Sequence, residues 1–391
     1  MGFWKKILSG KRDEGPIIAF GRFTDAHKSK EHYAAWDDSL KFFEEGQVQT
    51  AVEKLVIYLK NAAGDNIQVA SDRPEFRFVV FHGSKQLNCL LDQRHFRAEA
   101  KIAHCKELNV GFLRRAVEFN FDLNYSRYAL DPESNLCLVF DSSLEEASPY
   151  KLFYGLKEMA LQADKEDDIL LDEFEYLEPV QNQHIKKLPP EIVAVKIRFI
   201  RTRIEKALSS DALGSLNPRR FQGALTYLYL SVVYTLDYLV KPEGPMMDMI
   251  GNMHIRYFET PAEHTEQKIS LLESGLREIR DLTDEEMANE LYEVISTFGI
   301  TSPANHKTIA QFIEAELQVL PWYEENNHDA ICISICNYIA GYCLYNFSMA
   351  EPVQELLHMY FEIVEADYFR ALGFDNEFMD MDGKFHHLDR I

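Results

Sequence analysis

The chain has 391 residues, of which 46% are hydrophobic and 12% aromatic, and its formal net charge at pH 7 is -22. This apolar content suffices for packed cores and excludes a chain that is disordered throughout, while the length predicts two domains. Acidic residues outnumber basic ones by 63 to 41, which argues against a nucleic-acid binder, because neutralising phosphates requires a basic face. An acidic surface instead favours basic or amphipathic peptides as partners.

Residues 1–30 are predicted to form a tail. They contain no apolar core long enough for a signal peptide, and Lys6 stands where myristoylation requires Ser or Thr. The cytoplasm is therefore the expected compartment. The apolar and basic residues of positions 1–16 are also compatible with a short amphipathic turn that touches a membrane or a partner.

The next 150 residues or so carry signals for both helices and strands. Residues 31–60 have a helical apolar stripe that Gly46 interrupts, which predicts one bent helix or a tight helical pair. Residues 62–74 carry loop signals. Strand-like runs follow at 76–81 and 85–91 and in the segment HFRAEAKIA. This segment alternates between apolar and charged residues, which is typical of an antiparallel sheet with one face in water.

A helix, a hairpin and a second helix follow these strands. The helix NVGFLRRAVEFNF is capped by Asn109, the segment SRYALDPESNLCLVFDS reads as a hairpin, and Ser148 with Pro149 begins a long helix. The predicted order over residues 31–178 is α-β-β-β-α-β-β-α. This order predicts an α+β domain over 31–180, an antiparallel sheet with its helices on one face.

From Pro189 onwards the strand signals disappear, and residues 190–391 are predicted to form an all-helical domain. Its helices are predicted at 191–208, 218–240, 262–281, 283–298, 304–320, 328–347 and 351–371. Two of them, 218–240 and 328–347, are apolar enough to make a membrane span the alternative. Asp237 and Asn337 interrupt these helices and their flanks are acidic, so we expect the central helices of a soluble bundle and no membrane span.

The order of elements in the first domain, with the segments FRAEAKIA, ELNVGFLRRAVEFNF, SRYALDPESNLCLVFDS and SPYKLFYGLKEMA, resembles the type III secretion chaperone-like fold, including its YbjN-like branch. The resemblance covers residues 31–178. It implies an acidic α+β protein, often a homodimer, that binds a segment of its partner as extended chain across helix and sheet surfaces. The helical domain is not part of that family's pattern.

The sequence has no Walker loop, GxGxxG, GxSxG or HExxH motif. We therefore expect a protein that binds another protein or peptide without enzymatic chemistry and without a cofactor. An exposed sheet edge would pair with the peptide backbone. The residues predicted to contact the peptide lie in and beside the hairpin; they are Tyr125, Tyr128, Leu136, Leu138 and Phe140. The alternative for these side chains is packing against the domain's own helices.

A metal-dependent enzyme is the alternative function. Di-iron carboxylate sites in helical bundles use two Glu-x-x-His pairs and two further glutamates, and the chain has such pairs at Glu325–His328 and Glu355–His358. Two asparagines after Glu325 are typical of a helix cap, which would place this glutamate before its helix.

The six cysteines form no CxxC pair, so neither a zinc ribbon nor a redox motif is predicted. Cys332, Cys336 and Cys343 share one face of a predicted helix, where we expect small buried apolar groups; a metal site is the alternative.

Two charged segments remain. The C-terminal FMDMDGKFHHLD resembles part of a calcium loop, but Phe378 occupies the first position, where a carboxylate belongs. We expect an acidic tail there, whose His386 and His387 could bind a metal adventitiously. A basic run over 196–206 is predicted to be a solvated helix face, or a docking surface for the chain's acidic segment 164–173 or for a separate acidic partner.

Overall fold

The computed structural model describes residues 18–61, 63–72, 75–180 and 185–374. These residues divide into two compact units. The α+β unit comprises Lys28–Lys186 with Glu293–Gly299, and the helical unit comprises the described residues of Met1–His27, Lys187–Tyr292 and Ile300–Ile391. The predicted fold class, an α+β domain followed by a helical one, is confirmed.

The α+β unit begins with a tight pair of helices. Helix α1 spans Lys30–Glu44 and helix α2 spans Val48–Leu59. Ser29 caps α1 by accepting a hydrogen bond from the backbone N–H of His32. Gly46 lies between the helices with a φ of 76°, a left-handed conformation that glycine adopts without steric cost. Of the two sequence alternatives, the structure therefore contains the helical pair.

The described strands of this unit form one antiparallel sheet. Their order across the sheet is β1-β2-β3-β4-β6-β5, and β7 also pairs with β4. The strands are β1 Ile67–Asp72, β2 Glu75–His82, β3 Lys85–Leu91, β4 His95–Cys105, β5 Arg127–Leu130, β6 Asn135–Ser143 and β7 Leu177–Pro179. The segment 62–74 was predicted as a loop, and this prediction is wrong because β1 lies within it.

The core of this unit lies between the sheet and the long helix α4, Pro149–Glu173. Helix α3, Val110–Phe119, lies between β4 and β5 in the chain, and a short 3-10 turn, Leu144–Glu146, precedes α4. Alternate residues of the strands point toward α4 because side chains in a strand have a period of two. The side chains buried there include Phe78, Leu87, Phe96, Ala100, Leu152 and Leu156.

A distant segment completes this core. The helix predicted over 283–298 ends at Asn289, because the chain that follows leaves the helical unit. Phe298 is 1% exposed in the core of the α+β unit. The Thr297 hydroxyl donates to the Phe81 carbonyl at 2.7 Å and accepts from the Asn66 amide at 3.0 Å. These contacts fix the segment against the α+β unit.

The helical unit is built around two apolar helices, as the sequence predicts. Its helices are α5 Pro190–Leu208, α6 Gln222–Thr235, α7 Gly244–Glu259, α8 Thr265–Asp281, α9 Asp284–Asn289, α10 His306–Leu317, α11 Leu320–Glu325, α12 Asp329–Asn346, α13 Glu351–Val364 and α14 Ala366–Ala371. Helices α6 and α12 pack against each other, and α6 continues as a π-helical turn over Leu236–Val240. Helix α7 had no sequence prediction.

Among the described residues, the stretch Gln222–Val240 is long and apolar enough to cross a membrane, and 72% of it is buried inside the protein. The two-residue strands Ser302–Pro303 and Phe347–Ser348 pair in parallel within this unit. Two further short extended segments are Lys186–Lys187 and Tyr292–Glu293.

Part of the predicted tail is structured. Residues 18–27 belong to the helical unit, and the backbone N–H of Gly21 donates to the Tyr238 carbonyl at 2.8 Å. Two sequence hypotheses, the amphipathic turn over 1–16 and the calcium-like segment over 378–389, fall outside the described residues. The docking of segment 164–173 stays a prediction, because the side chains of 166–169, 172 and 173 are not among those described.

Candidate functional site

The sheet face opposite α4 is open. One row of directly paired residues crosses six strands on this face, and none of its side chains is buried. The row is Gln68, Val79, Asn88, Glu99, Val139 and Arg127. Its polar character agrees with the predicted sheet that is covered on one side only.

The charges on this face are largely neutralised within the sheet. Arg127 forms an ion pair with Asp141 at 2.5 Å. Lys101 lies 3.0 Å from Asp131 and 2.9 Å from Glu133. The open face is therefore not a strongly charged patch. A partner would have to recognise the edges of the sheet instead.

Most of the predicted peptide-contact residues belong to the core. Leu136, Leu138 and Phe140 are essentially unexposed and Tyr128 is buried, because these side chains lie on the face of the sheet that packs against α4 and its neighbours. The prediction that they form a peptide-binding surface is therefore corrected. Tyr125, which is 40% exposed, is the one residue of this set that a partner could contact.

The loop before β5 is held by one carboxylate. Glu158 of α4 accepts hydrogen bonds from the backbone N–H groups of Asn124, Tyr125 and Ser126 at 2.7–2.9 Å. Burial alone would raise the pKa of Glu158, but these hydrogen bonds outweigh burial and hold the pKa below its usual value. The polar groups of this loop are thus engaged in the protein's own structure.

The β5 edge of the sheet is partly closed. Asp131 donates its backbone N–H to the Asn135 carbonyl, across the hairpin. Because hydrogen-bonding residues alternate along an antiparallel pair, the backbone groups of Tyr128 and Leu130 face away from β6. The N–H of Tyr128 is already bonded to the side chain of Asn120 at 2.7 Å. Only Leu130 leaves an outward N–H without a partner within the part of the chain that the structure describes.

The β1 edge, in contrast, is open. Phe81 donates its N–H to the Asn66 carbonyl at 2.9 Å, and alternation then directs the backbone groups of Gln68 and Ala70 toward β2. The N–H and C=O groups of Ile67, Val69 and Ser71 point the other way. Within residues 18–374, apart from the gaps given above, they have no hydrogen-bond partner. This edge is the strongest candidate for a binding site.

The sequence of β1, IQVASD, lacks the usual protection of an edge. Natural edge strands are shielded by lysine, proline, bulges or covering elements, and Ile67–Asp72 contains neither lysine nor proline. Val69 is 44% exposed. The apolar alternation at Ile67 and Val69 was the sequence signal for this strand, but it covers too few residues to stand out from the loop residues around it.

The four predicted iron ligands do not form a site. Glu325 is the last residue of α11 and His328 precedes α12, whereas Glu355 and His358 both lie on α13. His358 hydrogen-bonds the Tyr238 hydroxyl at 2.9 Å and lies 3.3 Å from Glu362. None of the four belongs to a metal-sized group of three ligands among the described residues.

One group of three potential ligands, Glu99, Asp131 and Cys137, does occur in the described part of the chain. The Lys101 ammonium group is bound to Asp131, and burial raises the pKa of the Cys137 thiol to about 12. The thiol therefore stays protonated, and a cation already lies beside Asp131. This group is better suited to stabilising the hairpin than to binding a metal ion.

A buried polar network lies at the π-helical turn of the helical unit. Arg22, from the segment before α1, forms an ion pair with Asp237 at 2.6 Å and lies over the ring of Tyr345. Lys241 pairs with the buried Glu243 at 2.8 Å. The sequence offers no signal for the first pair, because its members are 215 positions apart. The network anchors residues 18–27 and presents no cluster of free reactive groups.

No protein-family model matches this chain, and no curated protein matches it. The resemblance to type III secretion chaperone-like proteins therefore stays a hypothesis based on element order.

Proposed function

We propose that the protein binds an extended segment of another polypeptide, which adds to the sheet as a strand alongside β1. The observation that carries the proposal is the row of outward N–H and C=O groups at Ile67, Val69 and Ser71, which have no partner among the described residues. A peptide backbone satisfies such a row, while its alternate side chains determine specificity. Binding of this kind requires no chemistry on the bound chain and no cofactor.

The expected partner segment is basic and moderately apolar. The protein carries a net charge of -22, which attracts cationic chains and accelerates their association at low salt. Beside β1, the exposed Val69 side chain provides an apolar contact for one residue of the added strand. This mode of binding agrees with the extended partner segments that the family resemblance implies. The proposed site for such a segment is β1 and not the hairpin.

The test uses peptides selected against the full-length protein from a random display library. Val69→Pro removes the central outward N–H but no hydrogen bond to β2, so the fold should survive. We expect this variant to bind the selected peptides at least about tenfold more weakly, because backbone pairing is lost. Val69→Ile keeps both the N–H and the apolar contact, and it should bind like the wild type.

Hydrogen exchange provides a second readout. In the free protein, the amides of Ile67, Val69 and Ser71 should exchange faster than those of Gln68 and Ala70, and bound peptide should slow the first set. Peptides that bind equally well to Val69→Pro, or that leave these amides unprotected, would show that β1 is not the site. If the selected peptides have the sequence of β1 and the protein sediments as a dimer, the β1 edge pairs with a second copy of the chain. The proposed partner class is then wrong.

A further inference from the structure

Helix α5 lines an elongated groove in the helical unit. The groove has a volume of about 680 Å³. Its lining positions on α5 run from Pro190 to Glu205 at intervals of three and four residues, so they form one stripe along the helix. Leu188, Asp284 and Ala288 also line the groove. At about 1.5 Å per residue, the stripe is about 22 Å long.

The stripe changes character along its length. Its N-terminal half contains Pro190, Val193, Ala194 and Ile197, whereas its C-terminal half contains arginine, threonine and glutamate side chains. A docking surface for an amphipathic helix would carry apolar residues along its whole length. A surface that is apolar at one end and polar at the other suits a ligand with an apolar body and a polar head.

Two arginines line the groove, and only one of them is available. The Arg201 guanidinium donates to Asp284 and to the carbonyls of Arg280 and Leu282 at 2.6–3.0 Å. Arg198 is exposed and makes no hydrogen bond or ion pair within the part of the chain that the structure describes. Its charge lies at the junction of the apolar and polar halves, directly after Ile197.

The charge of the helix agrees with an anionic ligand. Helix α5 carries five basic and two acidic residues, although the whole chain has a net charge of -22. Asp284 is neutralised by Arg201, and Glu205 lies about 10 Å beyond Arg198 along the helix, at 1.5 Å per residue. Lys196 is buried and donates to the Val240 carbonyl, and Arg203 pairs with Glu365. The positive charge that an anion in the groove meets is therefore that of Arg198 itself.

We propose that this groove binds an elongated apolar carboxylate of the fatty-acid class. The hydrocarbon chain would lie on Val193, Ala194 and Ala288, and the carboxylate would accept hydrogen bonds from the Arg198 guanidinium. Ligand sites of this volume are commonly apolar with a few polar groups that orient the ligand, and a guanidinium pairs with a carboxylate by charge-assisted hydrogen bonds. This site is independent of the strand-addition site on β1.

Calorimetric titration of the full-length protein with dodecanoate, below its micelle concentration, tests the proposal. We expect saturable binding of one molecule. Ala194→Phe places a large side chain in the groove at an exposed position and should abolish binding. Arg198→Gln should weaken binding at least about tenfold. Arg220→Gln, at an exposed arginine outside the groove, is the matched control and should bind like the wild type.

The fold of each variant is checked by circular dichroism and thermal unfolding. Dodecyltrimethylammonium, which has the same chain length and the opposite charge, should bind at least tenfold more weakly than dodecanoate. Absence of saturable dodecanoate binding, or equal binding by the wild type and a folded Ala194→Phe variant, would overturn the site. Equal binding of the cationic probe would overturn the ligand class.

Discussion

At the scale of single residues, His82 shows how one side chain connects distant parts of the chain. It is buried at the end of β2, and its Nδ1 accepts hydrogen bonds from the backbone N–H groups of Thr297 and Phe298 at 3.3 and 3.4 Å. Burial, and then the positive charge of Lys157, lower the pKa of His82 to about 4. The unprotonated Nδ1 can accept these bonds, whereas a protonated ring cannot.

The α+β unit should therefore lose stability in mild acid. The pKa of His82 in the unfolded chain is about 6.5, so its contribution is fully present above that pH and is lost as the pH falls toward 4, by about 3 kcal/mol in total. His82→Asn keeps an acceptor near Nδ1 but does not titrate. Denaturant unfolding between pH 7 and 4.5 should show a smaller loss for His82→Asn than for the wild type.

His95→Asn, at an exposed histidine of β4, is the control and should keep the wild-type pH dependence. If His82→Asn and the wild type lose stability in parallel, the imidazole is not the group that responds to acid.

At the scale of elements, the contact between α6 and α12 depends on a glycine. A Cβ atom on Gly341 would lie 2.6 Å from the Cβ of Tyr234 and 3.3 Å from its backbone carbon. Glycine in a helix interior costs about 1 kcal/mol relative to alanine, so its presence in α12 indicates that close approach of the helices outweighs this cost.

Two glycine-to-alanine variants distinguish packing from helix propensity. Gly341→Ala should lower the free energy of unfolding by about 1–3 kcal/mol through overpacking. Gly223→Ala lies in α6 where a Cβ meets nothing within 4 Å, and it should raise the free energy of unfolding by up to about 1 kcal/mol. Denaturant titration measures both, with hydrogen exchange of α6 as the local probe. A stabilised Gly341→Ala variant would contradict the close-packing argument.

The elements also show what an apolar pattern can predict. The amphipathic stripes of α5 and α8 and the alternation in β4 repeat often enough to indicate their structure from the sequence. The strand β1 has only two large apolar residues, Ile67 and Val69, within its six positions, and it is paired on one side only. Its pairing with β2 in the structure identifies it as a strand, and this pairing also reveals the candidate binding edge.

At the scale of the whole molecule, neither unit is a continuous stretch of chain. The α+β unit takes Glu293–Gly299 from within the helical sequence, and the helical unit takes the described residues before Lys28. We expect Phe298→Ala to destabilise the α+β unit by about 3–5 kcal/mol, as a large cavity in a core does. Phe258→Ala, at a phenylalanine of α7 that is 46% exposed, is the control.

Hydrogen exchange of β2 and β3 in the full-length protein follows this effect locally. Faster exchange in Phe298→Ala, with no change in Phe258→Ala, is the expected result. Unchanged exchange in both variants would mean that the segment is not part of the core. A fragment that ends near residue 186 lacks Phe298, and for the same reason it should be less stable than this unit in the full chain.

The sequence by itself determined the class of the protein: an acidic chain with a mixed sheet-and-helix half and a helical half. These features follow from composition and from the local periodicity of apolar residues, both of which are visible in residues that lie close together in the chain. Only the tertiary structure decided that Leu136, Leu138 and Phe140 face the core and that the β1 edge is open. It also brought Arg22 to Asp237 and Phe298 to the sheet. The register of paired strands and the contacts between residues hundreds of positions apart result from packing. The local sequence pattern does not encode them.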